Sequence, residues 1–175
     1  PTFTLWVDGL QEPLGLAVHP DDTEEWEQAL SSGTPYSGPI WCTQRGELTR
    51  MQDTTGDGRG NIFETICDDW AISGNYHEYA FGSKFDPQGN LYVALGLSNS
   101  YHSRALFRGW AMKITPEGKS IPIASGLRSP GGIGPNEHGA LFYIESQGPW
   151  NSSCSLKFLK PGGFMGHPVS FNWYK

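Results

Sequence analysis

Basic clusters are missing from this chain. It carries 12 Lys and Arg against 18 Asp and Glu, for a formal net charge of −6. An acidic chain with no basic patch has nothing to hold a nucleic-acid backbone, so nucleic acid is excluded as a partner. Long apolar runs are missing too: none approaches the ~20 residues of a transmembrane helix, and no secretory leader is visible. The first residue is Pro1 and the last segment reads "FNWYK". The expectation is a fragment or processed piece of a longer protein, with any leader or anchor upstream of it.

Cysteine is scarce. Cys42, Cys67 and Cys154 form no CxxC or CxxCH, which removes the grounds for a cysteine zinc site or a c-type haem. One disulfide, Cys42 to Cys67, is open to the chain in an oxidising compartment. Three buried thiols is the equally simple reading. Sustained helical periodicity is also absent. Only "DDTEEWEQALSSG" has the pattern of a short helix, with Asp21 or Asp22 as its cap and Gly33 at its end.

What the chain does have is turn residues and aromatics: Gly 23, Pro 13, Trp 7, Tyr 7 and Phe 9. That mixture favours strands joined by tight turns. Three segments follow one plan: "PLGLAVHPDD…GPIWCTQRGELTRMQD", "YAFGSKFDPQGNLYVALGL…GWAMKITPEGK" and "PGGIGPNEHGALFYIESQG…SLKFLKPGG". Each has a short apolar strand, a polar turn, a second apolar strand, a variable connection and a third alternating strand. "DPQGN" and "TPEGK" are hairpin turns, with Pro presetting one dihedral and Gly supplying positive φ. Units of this size built from antiparallel strands predict an all-β fold, a partial β-propeller of about three blades. It is read as one propeller piece over residues 1–175, with repeats at about 1–72, 73–125 and 126–175. The short helix reads as an insertion in the first repeat's hairpin.

"DTTGDGRGNIFE", residues 53–64, carries oxygen donors at alternating positions. Asp53, Thr55 and Asp57 come first, Gly58 permits a sharp turn, and the Arg59 carbonyl, Asn61 and Glu64 complete a twelve-residue spacing. A hard cation wants six to eight oxygens wrapped by such a turn, which predicts a structural Ca²⁺ site. The spacing departs from an EF-hand at Thr55 and Gly60 and lacks flanking helices. The competing reading is a solvated Asp/Gly turn.

Two residues stand immediately before the first strand of successive repeats: His77 before "YAFGSKF" and Arg128 before "PGGIG". Imidazole can accept a hydroxyl proton near neutrality. Arginine can clamp a planar anion bidentately. Each also has a structural reading, a histidine bonded to Tyr76 or Glu78 and an arginine in an inter-blade ion pair. Trp150 could wall a ring-shaped ligand or simply pack. His102, His138 and His167 show no ligand spacing, and His167 in "GHP" reads as a turn residue. "GGIG" and "PGGF" lack the helix and Lys-Ser/Thr pair of a phosphate loop. "NSS" at Asn151 matches a glycosylation sequon.

The third repeat, "SGLRSPGGIGPNEHGALFYIESQGPWNSSCSLKFLKPGGFMGHP", resembles the glucose/sorbosone dehydrogenase family, six-bladed propellers that use pyrroloquinoline quinone (PQQ). "GLQEPLGLAVHP" and "HEYAFGSKFDPQGNLYVALG" are similar to that family's opening and second blades. The large planctomycete membrane-bound-dehydrogenase proteins are the nearest likeness within it. The resemblance implies about three blades of a six-bladed sugar-dehydrogenase-type propeller. It implies His77 as general base, Arg128 as a contact of PQQ, and Gly148 and Pro149 as carbonyl donors to the Ca²⁺ on PQQ, with Trp150 beside them. It also implies a sugar or other alcohol as substrate, a haem domain downstream as electron acceptor and a periplasmic or extracytoplasmic setting. The chain departs from the family pattern at Tyr76, where an acid precedes the histidine, at Ser129 for Asn, and at Leu97 in "LGL" for "LGD".

Three functions are consistent with these residues. The first is a PQQ-dependent sugar or alcohol dehydrogenase domain. The second is a non-catalytic propeller that binds a glycan or a partner domain. The third, a lactonase-type hydrolase, needs clustered carboxylate and Asn metal ligands at the channel, and the sequence shows none. PQQ binding separates the first from the second.

Overall fold

The computed structural model describes residues 3–97, 103–147, 153–168 and 170. Eleven strands form three antiparallel sheets. The first holds β1 (Gly15–Ala17), β2 (Ile40–Thr43), β3 (Leu48–Gln52) and β4 (Ile62–Cys67) in sequential order. The second holds β5 (Ala80–Phe85), β6 (Leu91–Leu95), β7 (Trp110–Ile114) and β8 (Ser120–Ser125). The third holds β9 (Pro130–Pro135), β10 (Leu141–Glu145) and β11 (Ser155–Phe158). This is the all-β, partial propeller that the repeats predict.

The hairpins close through one repeated device. Asp86 N–H donates to the Asn90 carbonyl, Thr115 N–H to Lys119 and Asn136 N–H to Ala140. In each turn a glycine takes positive φ: Gly89 at 77°, Gly118 at 80° and Gly139 at 78°. An Asp or Asn leads two of these turns, and its side-chain oxygen accepts from N–H groups two and four residues on.

Alternation then decides which way the sheets stack. In β6 every residue is buried. Leu91, Val93 and Leu95 pack toward the first sheet with Leu48, Cys67 and Trp70. Tyr92 and Ala94 pack toward the third, with Leu141, Tyr143 and Leu159. A strand apolar on both faces belongs in the middle of a stack.

The first strands β1, β5 and β9 lie side by side. A Cβ on Gly15 would come within 1.2 Å of the Gly82 carbonyl oxygen, so the backbones of β1 and β5 meet where neither residue has a side chain. Thr43 and Ser83 hydroxyls bond across the same junction at 2.6 Å. The lead-ins to β5 and β9 are bridged by the end of β6: Gly96 N–H donates to Tyr79 and Leu97 N–H to Arg128. The opposite ends of β5 and β9 also meet, with Lys84 against Gly134. The first strands therefore run in the same sense. The loops divide into two sets, one at each end of the stack.

The short helix forms as α1 (Thr23–Ser32) within the β1–β2 connection, ended by Gly33 at φ 71°. Asp22 sits at its N-cap without a side-chain cap bond. His19 instead caps a preceding 3₁₀ turn at Pro20–Asp22 by accepting from Asp21 N–H. Of the two readings left open for the cysteines, the free-thiol one is observed, with Cys42 and Cys67 buried and Cys154 exposed and not buried. β3 lies between β2 and β4, so Cys42 and Cys67 sit two strand spacings apart, about 10 Å, beyond the reach of an S–S bond.

Candidate functional site

One end of the stack carries the lead-ins to β1, β5 and β9 together with the β2–β3, β6–β7 and β10–β11 connections. His77 and Arg128 both fall there. Gly148, Pro149 and Trp150 belong to the β10–β11 connection in sequence and lie outside the described residues, as does His102. The acidic turn at Asp53–Asn61 joins β3 to β4 at the opposite end.

Among the described residues, three non-glycine residues have positive φ: Glu12 at 49°, Phe107 at 58° and Gln147 at 63°. All three lie at the end that carries His77 and Arg128, in the lead-in to β1, before β7 and after β10. Such conformations cost roughly 1–3 kcal/mol each and concentrate where a surface is shaped for a ligand.

The segment carrying His77 is held by two arginines. Arg45 pairs with Glu12 at 3.0 Å, and its other amino group donates to the Ser73 and Asn75 carbonyls at 3.2 and 2.6 Å. Arg108, fully buried, donates to the carbonyls of Tyr79 at 3.0 Å, Ala71 at 2.8 Å and Arg45 at 3.4 Å. Burial pushes its guanidinium down from 12.5 to about 10, the nearby Glu78 carboxylate pulling the other way. Glu78 is also buried and accepts from Ser103 at 3.0 Å. His77 itself is exposed. Its N–H donates to Asn75 Oδ1 at 3.1 Å, and its ring stacks on Tyr76 with centroids 3.8 Å apart.

Arg128 stands at the second junction. Its N–H donates to Glu145 Oε1 at 2.7 Å, and its guanidinium reaches the Ser146 carbonyl at 3.4 Å. Glu145 is fully buried. Its Oε2 accepts from Tyr143 at 3.0 Å and from the Lys157 ammonium at 2.6 Å. His167 is buried beside this group. Burial and the Arg128 charge lower its basicity while Glu145 opposes them. Beyond Arg128, a Cβ on Gly131 or Gly132 would meet nothing within 4 Å, so bare backbone faces open space there. Sequence reasoning missed Arg45, Arg108, Glu145 and Lys157. A signal for Glu145 existed, since strand alternation puts Leu141, Tyr143 and Glu145 on one buried face.

The donors expected for a calcium turn are engaged within the chain. Asp53 is buried, and its two oxygens accept from Thr55 N–H, Thr55 Oγ1, Gly56 N–H and Gly58 N–H at 2.8–3.1 Å. Asp57 accepts from Arg59 N–H, Asn61 pairs with Thr54, and Glu64 turns to Arg50 at 3.3 Å. Three N–H groups and one hydroxyl thus hold the Asp53 carboxylate in the turn. Among the described residues, no group of three or more His, Cys, Asp or Glu is placed to hold a metal. Burial alone would raise the Asp53 carboxyl, but the Gly58, Gly56 and Thr55 donors outweigh it and lower the value. A depressed carboxyl stabilises the fold above its unfolded value, about 3.9, and loses that contribution as pH falls through the folded value. Asp53→Ala is therefore expected to lower the melting temperature at pH 7 and to flatten its fall in acid. EDTA should leave the wild-type curve unmoved. A calcium-dependent rise that Asp53→Ala abolishes would restore the cation reading.

Among the described residues, no helix is long and apolar enough to cross a membrane. No family model matches the chain, and no curated protein is matched by its sequence. Solved structures do match. An oxidoreductase described as a glucose dehydrogenase, from Thermus thermophilus, is 24% identical with a TM-score of 0.63, covering 94% of this chain and 54% of its own. The PQQ-bound aldose sugar dehydrogenase of Streptomyces coelicolor is 20% identical with a TM-score of 0.65, covering 93% of this chain and 50% of its own. A further glucose dehydrogenase is 18% identical with a TM-score of 0.62, over 96% of this chain and 67% of its own. The chain thus spans about half the length of the first two. It has the propeller fold of the sugar dehydrogenases.

Proposed function

We propose that this chain is the propeller part of an oxidoreductase that acts on a sugar or another alcohol, with PQQ as the hydride acceptor. One observation carries the reading. On a fold shared with a PQQ-bound sugar dehydrogenase, the lead-ins holding His77 and Arg128 are bonded to adjacent residues at the end of β6, Tyr79 to Gly96 and Arg128 to Leu97, beside the open backbone of Gly131 and Gly132. A flat, anionic quinone fits those features: bare glycine backbone for its face and a guanidinium for its carboxylates. When bound, the quinone would accept hydride from an alcohol carbon. His77, exposed at this end, takes the hydroxyl proton as that hydride leaves. Arg128 orients the acceptor.

Gly148, Pro149 and Trp150, outside the described residues, and a Ca²⁺ on the quinone belong to the same proposal. An extracytoplasmic setting and a haem domain as electron acceptor belong to the same proposal, as does membership of the planctomycete branch.

Titration with PQQ tests it. The expected result is saturable, one-to-one binding, read by quenching of tryptophan fluorescence and a quinone absorbance carried with the protein. Arg128→Ala is expected to weaken that binding and leave the circular dichroism spectrum unchanged. Wild-type protein that takes up no PQQ at any calcium concentration would overturn the proposal and favour a binding module on the same fold.

A further inference from the structure

The buried carboxylate of Glu145 joins two elements that sequence alone keeps apart, the lead-in to β9 and the end of β10. Its Oε1 accepts the Arg128 N–H at 2.7 Å. Its Oε2 accepts from Tyr143 at 3.0 Å and from Lys157 at 2.6 Å. One residue on, Ser146 N–H donates to the Ser129 carbonyl at 2.9 Å, and the Ser146 carbonyl accepts from the Arg128 guanidinium at 3.4 Å. Gln147 then takes positive φ. The side chain of Glu145 and the backbone of Ser146 together fix Arg128 at its N–H, at its successor's carbonyl and at its guanidinium.

Burial explains why this needs a charge. A fully buried carboxylate is tolerated only when paired and hydrogen-bonded. Here Lys157 supplies the charge, with side-chain exposure of 29% against 0% for Glu145. Bonds to a charged acceptor are shorter and stronger than neutral ones. An amide in place of the carboxylate would put an N–H₂ donor either against both the Lys157 ammonium and the Tyr143 hydroxyl, in the place of Oε2, or against the Arg128 N–H, in the place of Oε1.

We infer that Glu145 is a positioning residue: its carboxylate, neutralised by Lys157, sets the placement of Arg128 for an anionic ligand at this end of the propeller. Its ligand half rests on the proposed PQQ reading, and its geometric half does not.

Two measurements separate the halves. In the ligand-free protein, the Arg128 amide is expected to be protected from hydrogen exchange. Glu145→Gln is expected to speed its exchange at least tenfold while amides in β6 and β7 keep their protection. An Arg128 amide that exchanges as a free loop amide in wild type would overturn the inference, whether or not PQQ binds.

The second measurement is PQQ affinity. Glu145→Gln is expected to weaken it by about tenfold to a hundredfold, the range seen when the partner that orients a ligand-binding group is removed. Glu145→Gln/Lys157→Met should recover part of that loss, because the orphaned ammonium is gone. Met112→Ala, in the core facing the first sheet, serves as the control for stability. It should lower the melting temperature as much and leave affinity unchanged. Equal loss of affinity in Met112→Ala, or wild-type affinity in Glu145→Gln, would sink the positioning role. Failure of the wild type to bind PQQ would overturn the proposed function and the ligand half together, leaving the exchange result to decide the geometric half.

Discussion

Arg108→Met is expected to destabilise the chain by about 3–5 kcal/mol, the cost of removing one partner from a buried charged group. Arg108 is fully buried and bonds three carbonyls from the first repeat and from the segment that leads into β5: Arg45, Ala71 and Tyr79. Methionine fills much of the volume but donates nothing. The Ala71 carbonyl, for which Arg108 supplies the side-chain donor, would then lie unsatisfied near the first junction. Glu78, buried with Ser103 as its hydrogen-bond donor, would also lose a nearby positive charge. Arg45 and Tyr79 retain other donors, from Trp70 and Gly96, so the loss stays below that of three orphaned acceptors. Domains are stable by about 5–15 kcal/mol in total, which makes this a large share. Arg108→Lys should be intermediate, since one ammonium cannot span the carbonyls that a planar fork reaches. Glu78→Gln added to Arg108→Met should return part of the loss. Urea unfolding followed by tryptophan fluorescence measures each step. A midpoint for Arg108→Met indistinguishable from wild type would show that Arg108 does not pin the junction.

The hairpins were legible because their chemistry is local. "DPQGN" and "TPEGK" each place a glycine where positive φ is required, and the structure bends there, as it also does at "NEHGA". The helix was legible from Asp22 at its start and Gly33 at its end, though Asp22 makes no side-chain cap bond and His19, ahead of the pattern, caps the 3₁₀ turn before it. The pairing of the cysteines and the role of the acidic turn were left open by spacing for opposite reasons. Cys42 and Cys67 lie on strands whose separation follows from sheet order, which spacing does not encode. In residues 53–64 the spacing of oxygens was real, but the same Asp-Gly pattern also serves a turn whose N–H groups turn inward, as they do around Asp53. Gly15 reads as an ordinary strand residue. Only the neighbouring strand, 67 residues on at Gly82, explains why it has no side chain. At the candidate site, the repeat alone gave the end of the stack at which the lead-ins to β5 and β9 lie. Arg45 and Arg108 were not legible, because each acts across a junction between repeats, and Glu145 was not, because it acts on Arg128, 17 residues back in its own repeat.

His77→Ala is expected to remove about 10²- to 10⁴-fold of turnover in the proposed dehydrogenase, the usual worth of a general base, and to leave the fold intact. The second half of that expectation comes from geometry. His77 is exposed; it touches Tyr76, itself 65% exposed, and the segment around it is held by Arg45 and Arg108 through backbone carbonyls. Exposed substitutions away from such bonds cost within about 0.5 kcal/mol, so the melting temperature should hardly move. A base acts in the transition state and not in ground-state binding, so kcat and kcat/KM should fall together while PQQ affinity is retained. That pattern separates His77 from Arg128, whose loss should appear in cofactor affinity first. Tyr76→Ala gives a graded check. It removes the ring on which the imidazole rests and keeps the imidazole, so turnover should fall by much less than in His77→Ala. A His77→Ala protein that turns over an alcohol substrate at a rate close to wild type would remove His77 from the chemistry. The base would then have to be sought among the other residues at this end of the propeller.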